Sequence, residues 1–226
     1  MLPLLLVTAC QTVHTAPAHP ELRLSHASAL VDEPIAVTVE NVSPGESLRI
    51  RATTYDQRGR PWTAEATYRA DSAGRLDLAT NPPLAGSYAS ADPMGLFWSA
   101  TPDVEGATLA HRPGLDYVTV LELFVGGESV DRDTLVRRFD APDVRREAVH
   151  VGPVVGAFYR PTGEALAPAV VVFAGSDGGL ESAEWRAALL ASRGFTALAV
   201  AVFDYSGRPD TLVEIPLEDA AAAVDW

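Results

Sequence analysis

Apolar and polar positions alternate with a period of two through the first half of the chain, which predicts strands. In "PIAVTVENV" the apolar positions are Ile35, Val37 and Val39, and Ser43-Pro44-Gly45 breaks the run. "LRIRATTYD" puts Leu48, Ile50 and Ala52 on one face and Arg49 and Arg51 on the other. Asp56-Gln57-Arg58-Gly59 has the composition of a turn and "WTAEATYRA" resumes the alternation, so the two segments predict a hairpin. Asp71-Ser72-Ala73-Gly74 turns again before "RLDLA", and "YVTVLELFV" ends at Gly126-Gly127. Short strands at regular spacing with polar turns, from about Leu22 to about Asp140, predict an antiparallel, Ig-like β-sandwich. Its outward carboxylates and arginines read as a solvated sheet face. Met94, Leu96, Phe97 and Trp98, bunched behind Asp92-Pro93, read either as core or as an apolar plug that packs on a second domain, and composition favours core.

The pattern changes around Ala141-Pro142. "EAVHVGPVVGAFYRPTG" predicts a hairpin around Gly152-Pro153, and "AVVVFA" is a continuous apolar run of the kind that both faces of a sheet cover. "ESAEWRAALLASRG" predicts a helix with Trp185, Ala188 and Leu189 on its apolar stripe and Gly194 at its C-terminal cap. "TALAVAVFDY" predicts a second buried strand. Pro216, with Glu218 and Asp219 in the first turn, opens a second helix. Strand, helix, strand, helix is the opening of a parallel α/β sheet. The predicted organisation is therefore a tether over residues 1–21, a sandwich over 22–140, and the start of an α/β domain over 141–226.

Composition removes several chemistries. A net charge of −13 argues against nucleic acid, because phosphate binding needs clustered cations. All 17 basic residues are arginines, which excludes a P-loop lysine, a Schiff-base lysine and a Ser-Lys dyad. Cys10 is the one cysteine and the five histidines lie well apart, so no disulfide and no metal site is expected. No cofactor is implied. His150 reads as a strand or hairpin residue and Asp204 as a loop residue capping the segment that follows it.

The apolar start "MLPLLLVTAC" stops at Cys10, and Val7-Thr8-Ala9-Cys10 resembles the lipobox of bacterial lipoproteins, whose cysteine is lipidated. The polar, Pro-containing "QTVHTAPAHP" then serves as a tether. The expectation is a lipid-anchored protein of the bacterial cell envelope; without lipidation of Cys10 the location is cytoplasmic.

Between the run "AVVVFA" and the predicted helix lies Gly175-Ser176-Asp177-Gly178-Gly179. It does not fit G-x-G-x-x-G, which excludes a dinucleotide fingerprint. The remaining specific reading is an oxyanion loop, in which glycines let backbone N–H groups approach a substrate oxygen. Ser176 and Asp177 are the candidate N–H donors. Ser176 is a turn serine rather than a nucleophile, since no histidine neighbours it to activate it.

"DEPIAVTVENVSPGESLRIRATTYDQRGRPW", then "YRADSAGRLDL", then "GSYASADPMGLFWS" resemble the acyl-CoA thioesterase and bile acid-CoA:amino acid N-acyltransferase family, with "DPMGLFWS" the most specific piece. "VVVFAGSDGGLESAEWRAALLASRGFTALAVAVFDY" resembles the start of that family's α/β-hydrolase domain. The resemblance implies an acyl-CoA or other acyl thioester substrate and a Ser or Cys nucleophile that becomes acylated, with a His base and an orienting Asp. It implies transfer to water, or to glycine or taurine. None of the triad carries over. The 226 residues contain no G-x-S-x-G or G-x-C-x-G, and the last histidine, His150, precedes the glycine-rich loop. The expectation is the N-terminal portion of such an enzyme, with an incomplete hydrolase domain and no activity of its own. The competing expectation is a non-catalytic envelope lipoprotein whose sandwich is a binding module.

Overall fold

The computed structural model describes residues 19–109, 112–163 and 167–226. Cys10 and the lipobox pattern therefore lie outside the described residues. In chain order the first strands are β1 (Glu21–Leu24), β2 (Ser28–Leu30), β3 (Val37–Glu40), β4 (Ser47–Tyr55), β5 (Pro61–Arg69), β6 (Leu76–Asp77) and β7 (Ala85–Gly86). A short helix α1 (Gly95–Trp98) precedes β8 (Thr101–Pro102), β9 (Tyr117–Val125) and β10 (Glu128–Arg138). The rest comprises β11 (Val144–Val151), β12 (Val154–Pro161), β13 (Ala169–Phe173), α2 (Glu181–Ser192), β14 (Thr196–Val200) and α3 (Leu217–Asp225).

A three-stranded sheet, β1-β3-β6, and a seven-stranded sheet, β2-β10-β9-β4-β5-β7 with β8 on β5, enclose one hydrophobic core. The alternation sets which side chains enter it. Ile35, Val37 and Val39 come from the smaller sheet's side, and Leu48, Ile50, Tyr68, Leu121 and Leu123 from the larger; all are completely buried. Arg49 and Arg51 point the other way, pairing with Glu65 at 3.3 and 2.8 Å while Arg49 lies 4.1 Å from the Phe124 ring centroid. The predicted hairpin of β4 with β5 forms, and β9, which ends at Gly126-Gly127 as expected, makes a further hairpin with β10 that the sequence reading did not anticipate. One pairing departs from the antiparallel expectation: β2 joins β10 in parallel. Of the apolar bunch, Leu96 is buried, whereas Trp98 is 61% exposed and donates its indole N–H to Asp92 at 2.8 Å.

A third sheet runs β11-β12-β14-β13. It is mixed rather than parallel: β11, β12 and β14 pair antiparallel, and only β13 with β14 is parallel. The expected hairpin turns at Gly152-Pro153, between the paired Val151 and Val154. β13 is half-exposed rather than covered on both faces, because it stands at the sheet's edge. α2 packs on this sheet through Ala183, Ala187, Ala188 and Ala191, while Trp185 and Leu189 lie half-buried beside them. Alanines carry the stripe because a face without long side chains lets the helix approach the strands closely. On the opposite face, Ala223 of α3 meets Val149, Val154, Leu198 and Val200. None of the helices among the described residues is long and apolar enough to cross a membrane.

Candidate functional site

The glycine-rich turn is built by cross-links between two strand ends. Ala174 donates its N–H to the Val200 carbonyl at 3.1 Å, which closes the mouth of the β13–β14 pair. Gly179 donates to the Phe203 carbonyl at 3.0 Å and Gly178 to the Gly175 carbonyl at 3.2 Å. Gly178 and Gly179 have φ of +68° and +66°, a region that side chains disfavour. A Cβ on Gly178 would also lie 2.8 Å from Asp204 Cβ and 2.9 Å from the Phe203 ring, so the loop after β14 seats directly on it. Asp204 itself has φ +50° and donates its N–H to the Pro209 carbonyl at 2.7 Å, which folds that loop back.

Between these turns and the sandwich lies a cleft of about 1060 Å³. Asp177, Gly178 and Gly179 line it, together with Arg112, Arg146, Glu184, Trp185 and Asp204. Of the two expected N–H donors, Asp177 reaches the cleft and Ser176 stays on the exposed outside of the turn. Among the described residues neither backbone N–H has an acceptor. His150 sits on β11 and is not part of the cleft lining. Asp204, expected as a loop residue, does border the cleft.

The first turn of α2 gives the cleft its fixed charges. Arg112, in the loop before β9, holds Glu181 in a two-pronged pair at 2.9 and 3.2 Å, and that bond raises the Arg112 pKa above its ordinary value. Glu184 takes Arg146 Nη2 at 2.6 Å and accepts the Tyr159 hydroxyl at 3.0 Å. Burial, reinforced by the Glu184 charge, pushes the Tyr159 hydroxyl well above its usual range, so it stays a donor at neutral pH. Burial opposes the charge on Arg146, but the bond to Glu184 outweighs it and holds the guanidinium charged. The arrangement is an ion-paired floor beside the Asp177 backbone N–H. It offers no histidine or cysteine among the described lining residues. Sequence reading missed Arg112, Arg146 and Tyr159. The legible half of the signal was Glu181 and Glu184 in the first turn of a helix, where carboxylates are favoured.

Residues 32–151, from before β3 to the end of β11, match the family described as acyl-CoA thioester hydrolase/BAAT N-terminal region. The chain belongs to this family. Acyl-coenzyme A thioesterase 6 of Mus musculus is 38% identical over 193 residues, covering 83% of this chain and 46% of that protein. Bile acid-CoA:amino acid N-acyltransferase of Mus musculus is 36% identical over 211 residues, 88% of this chain and 50% of that one. Acyl-coenzyme A thioesterase 1 of Homo sapiens is 35% identical over 201 residues, with 86% and 47% covered. The chain thus spans about half the length of the curated relatives it matches. The cleft described above lies where the sandwich meets the mixed sheet.

Proposed function

We propose that this chain provides the N-terminal β-sandwich, over residues 22–140, and the start of the α/β-hydrolase domain, over 141–226, of an acyl-CoA thioester hydrolase or acyl-CoA:amino acid N-acyltransferase. The observation that carries the reading is the loop between Ala174 and Leu180. It follows the third strand of its sheet in chain order and holds an unaccepted backbone N–H, that of Asp177, against a cleft. That is the position and the chemistry of an oxyanion loop in α/β-hydrolases. A nucleophile's attack on a thioester carbonyl makes a tetrahedral oxyanion, which Asp177 N–H stabilises, with Ser176 N–H as the neighbouring donor. The thiolate leaves, and water or an amine then takes the acyl group from the enzyme. Arg112 and Arg146 are already paired with Glu181 and Glu184, so their part is to fix α2 behind the loop. The 226 residues contain no nucleophile elbow, and no histidine follows the loop. The polypeptide alone is therefore inactive.

The test has two arms. Purified 226-residue protein given a long-chain acyl-CoA is expected to release no thiol above background; release that Ser176→Ala abolishes would overturn the reading. In a chimera with the remainder of the mouse thioesterase, Asp177→Pro deletes the N–H and should lower kcat about 10²–10³-fold, with Ser176→Ala near neutral. An active chimera indifferent to Asp177→Pro removes the oxyanion assignment.

The lipobox pattern at Val7-Thr8-Ala9-Cys10 favours a second element, lipid anchoring at Cys10 on the bacterial envelope. An anchored chain outside the cytoplasm meets an exported ester or thioester more readily than acyl-CoA, or acts as a binding module through its sandwich. Full-length chain expressed in a bacterial host with an alkyne-tagged fatty acid should take up label, and Cys10→Ala should lose all of it. An unlabelled wild type would leave the cytoplasmic reading.

A further inference from the structure

The inward face of the larger sheet carries one charge where the alternation demands an apolar residue. From Leu135 to Phe139, both buried, period two makes Arg137 a core position. On β5 the same phase that buries Ala64, Ala66 and Tyr68 turns Trp62 inward. Trp62 pairs with Thr54, Thr54 with Thr119 and Thr119 with Leu135, so one row of the sheet runs from Trp62 to the strand of Arg137. These side chains border a cavity of about 170 Å³ beneath α1, closed by Leu96, Phe97 and Ala100. It shares only Leu109 with the cleft at the glycine-rich loop.

Two buried donors in its lining have no partner among the described residues: Trp62 Nε1 and Arg137 Nε. Buried donors are rarely left without an acceptor, and leaving one costs more than a typical hydrogen bond contributes. Arg137 is more exceptional, because a buried charge is normally paired. Its Nη2 donates to the Val31 carbonyl, and the guanidinium stands 5.5 Å from the Phe97 ring centroid. Burial pulls its pKa down, against the attraction of Asp32 and Glu33. Those two carboxylates are bound instead by Arg193, at 2.8 and 3.1 Å. No acidic residue is among the described residues that line the cavity. Its walls are mostly apolar, with Thr54 and Thr119 among them, and a cavity of about 150 Å³ accommodates a benzene-sized molecule.

We propose that this cavity is a binding site for a short-chain carboxylate of about six carbons, its head accepting from Arg137 Nε and its tail running among Leu96, Phe97 and Ala100 toward Trp62. The site stands on the sandwich alone and does not depend on any activity at the cleft. A carboxylate supplies the missing counter-charge, and hydrogen bonds between charged partners are the strong kind. An alcohol of equal length satisfies a donor but leaves the guanidinium uncompensated.

The chain has four tryptophans, so the indole region of a ¹H–¹⁵N spectrum of the full-length protein should hold four signals, and Trp62→Phe assigns one by deletion. Titration with hexanoate should shift the Trp62 signal saturably and raise Tm, with hexanol binding at least about tenfold more weakly. Arg137→Met should abolish discrimination between acid and alcohol. Ordered water alone in the cavity would give no saturable shift and would overturn the proposal. So would equal affinity for hexanoate and hexanol, or discrimination between them untouched in a folded Arg137→Met protein.

Discussion

Gly156→Ala is expected to destabilise the third sheet by roughly 3 kcal/mol, the upper end of what overpacking a close-packed site costs. Gly156 lies on β12 opposite Val200 of β14, and an added methyl would overlap the Ala199 carbonyl oxygen. That oxygen belongs to the backbone, so no rotamer change relieves the clash; β14 must move. β13 pairs with β14 and is itself an edge strand, so the displacement passes to the turn at Ala174, whose N–H is held by the Val200 carbonyl. Urea unfolding followed by tryptophan fluorescence reads the loss. Trp185 on α2 and Trp226, whose ring stands 5.3 Å from that of Phe158, report on this sheet. Limited proteolysis should cut first within residues 141–226. A midpoint shift worth less than about 0.5 kcal/mol would mean that β12 and β14 do not approach this closely.

Local pattern made β3, β4, β5 and β9, the β4–β5 and β11–β12 hairpins and α2 legible, because alternation, turn composition and the cap at Gly194 are properties of neighbouring residues; β10, the longest strand, went unread. What the sequence hid is non-local. The parallel β2–β10 pairing joins residues 28–30 to 136–138, and nothing in "SAL" distinguishes it from an antiparallel edge. β13 looks like a central strand because its run is wholly apolar, yet coverage depends on which neighbours the topology supplies. The candidate site divides the same way. Its glycines announced themselves, and the φ values at Gly178 and Gly179 give the reason. Arg112 with Glu181 and Arg146 with Glu184 did not, since each pair joins segments far apart in the chain. Arg137 was visible in principle as a charge in phase with Leu135 and Phe139. An arginine beside a second arginine, Arg138, reads as a solvated face unless that phase is followed through to the aromatic.

Phe139→Ala should cost about 3–5 kcal/mol, the usual loss for emptying a buried aromatic site. Three kinds of contact tie α2 to the sandwich, and their magnitudes differ. Arg112–Glu181 at its start and Arg193 with Asp32 and Glu33 at its end are exposed ion pairs, each worth about 0–1 kcal/mol and weaker in salt. Ala141 N–H donates to Ser192 Oγ at 2.8 Å, one hydrogen bond of about 1 kcal/mol. Phe139, 5% exposed, stands edge-on to Tyr117 at 5.4 Å and to Trp185 at 5.8 Å, and edge-on aromatic pairs contribute beyond the area they bury. The aromatic chain therefore dominates the join. Trp185 lines the cleft, so its loss of support also loosens the helix behind the glycine-rich loop. Phe139→Leu, which keeps most of the volume, should cost less than about 1.5 kcal/mol, and 0.5 M salt should change neither value much. Thermal unfolding of both variants with near-ultraviolet circular dichroism checks this. If Phe139→Ala costs no more than Arg193→Ala, the exposed ion pairs, and not the aromatics, hold α2 in place.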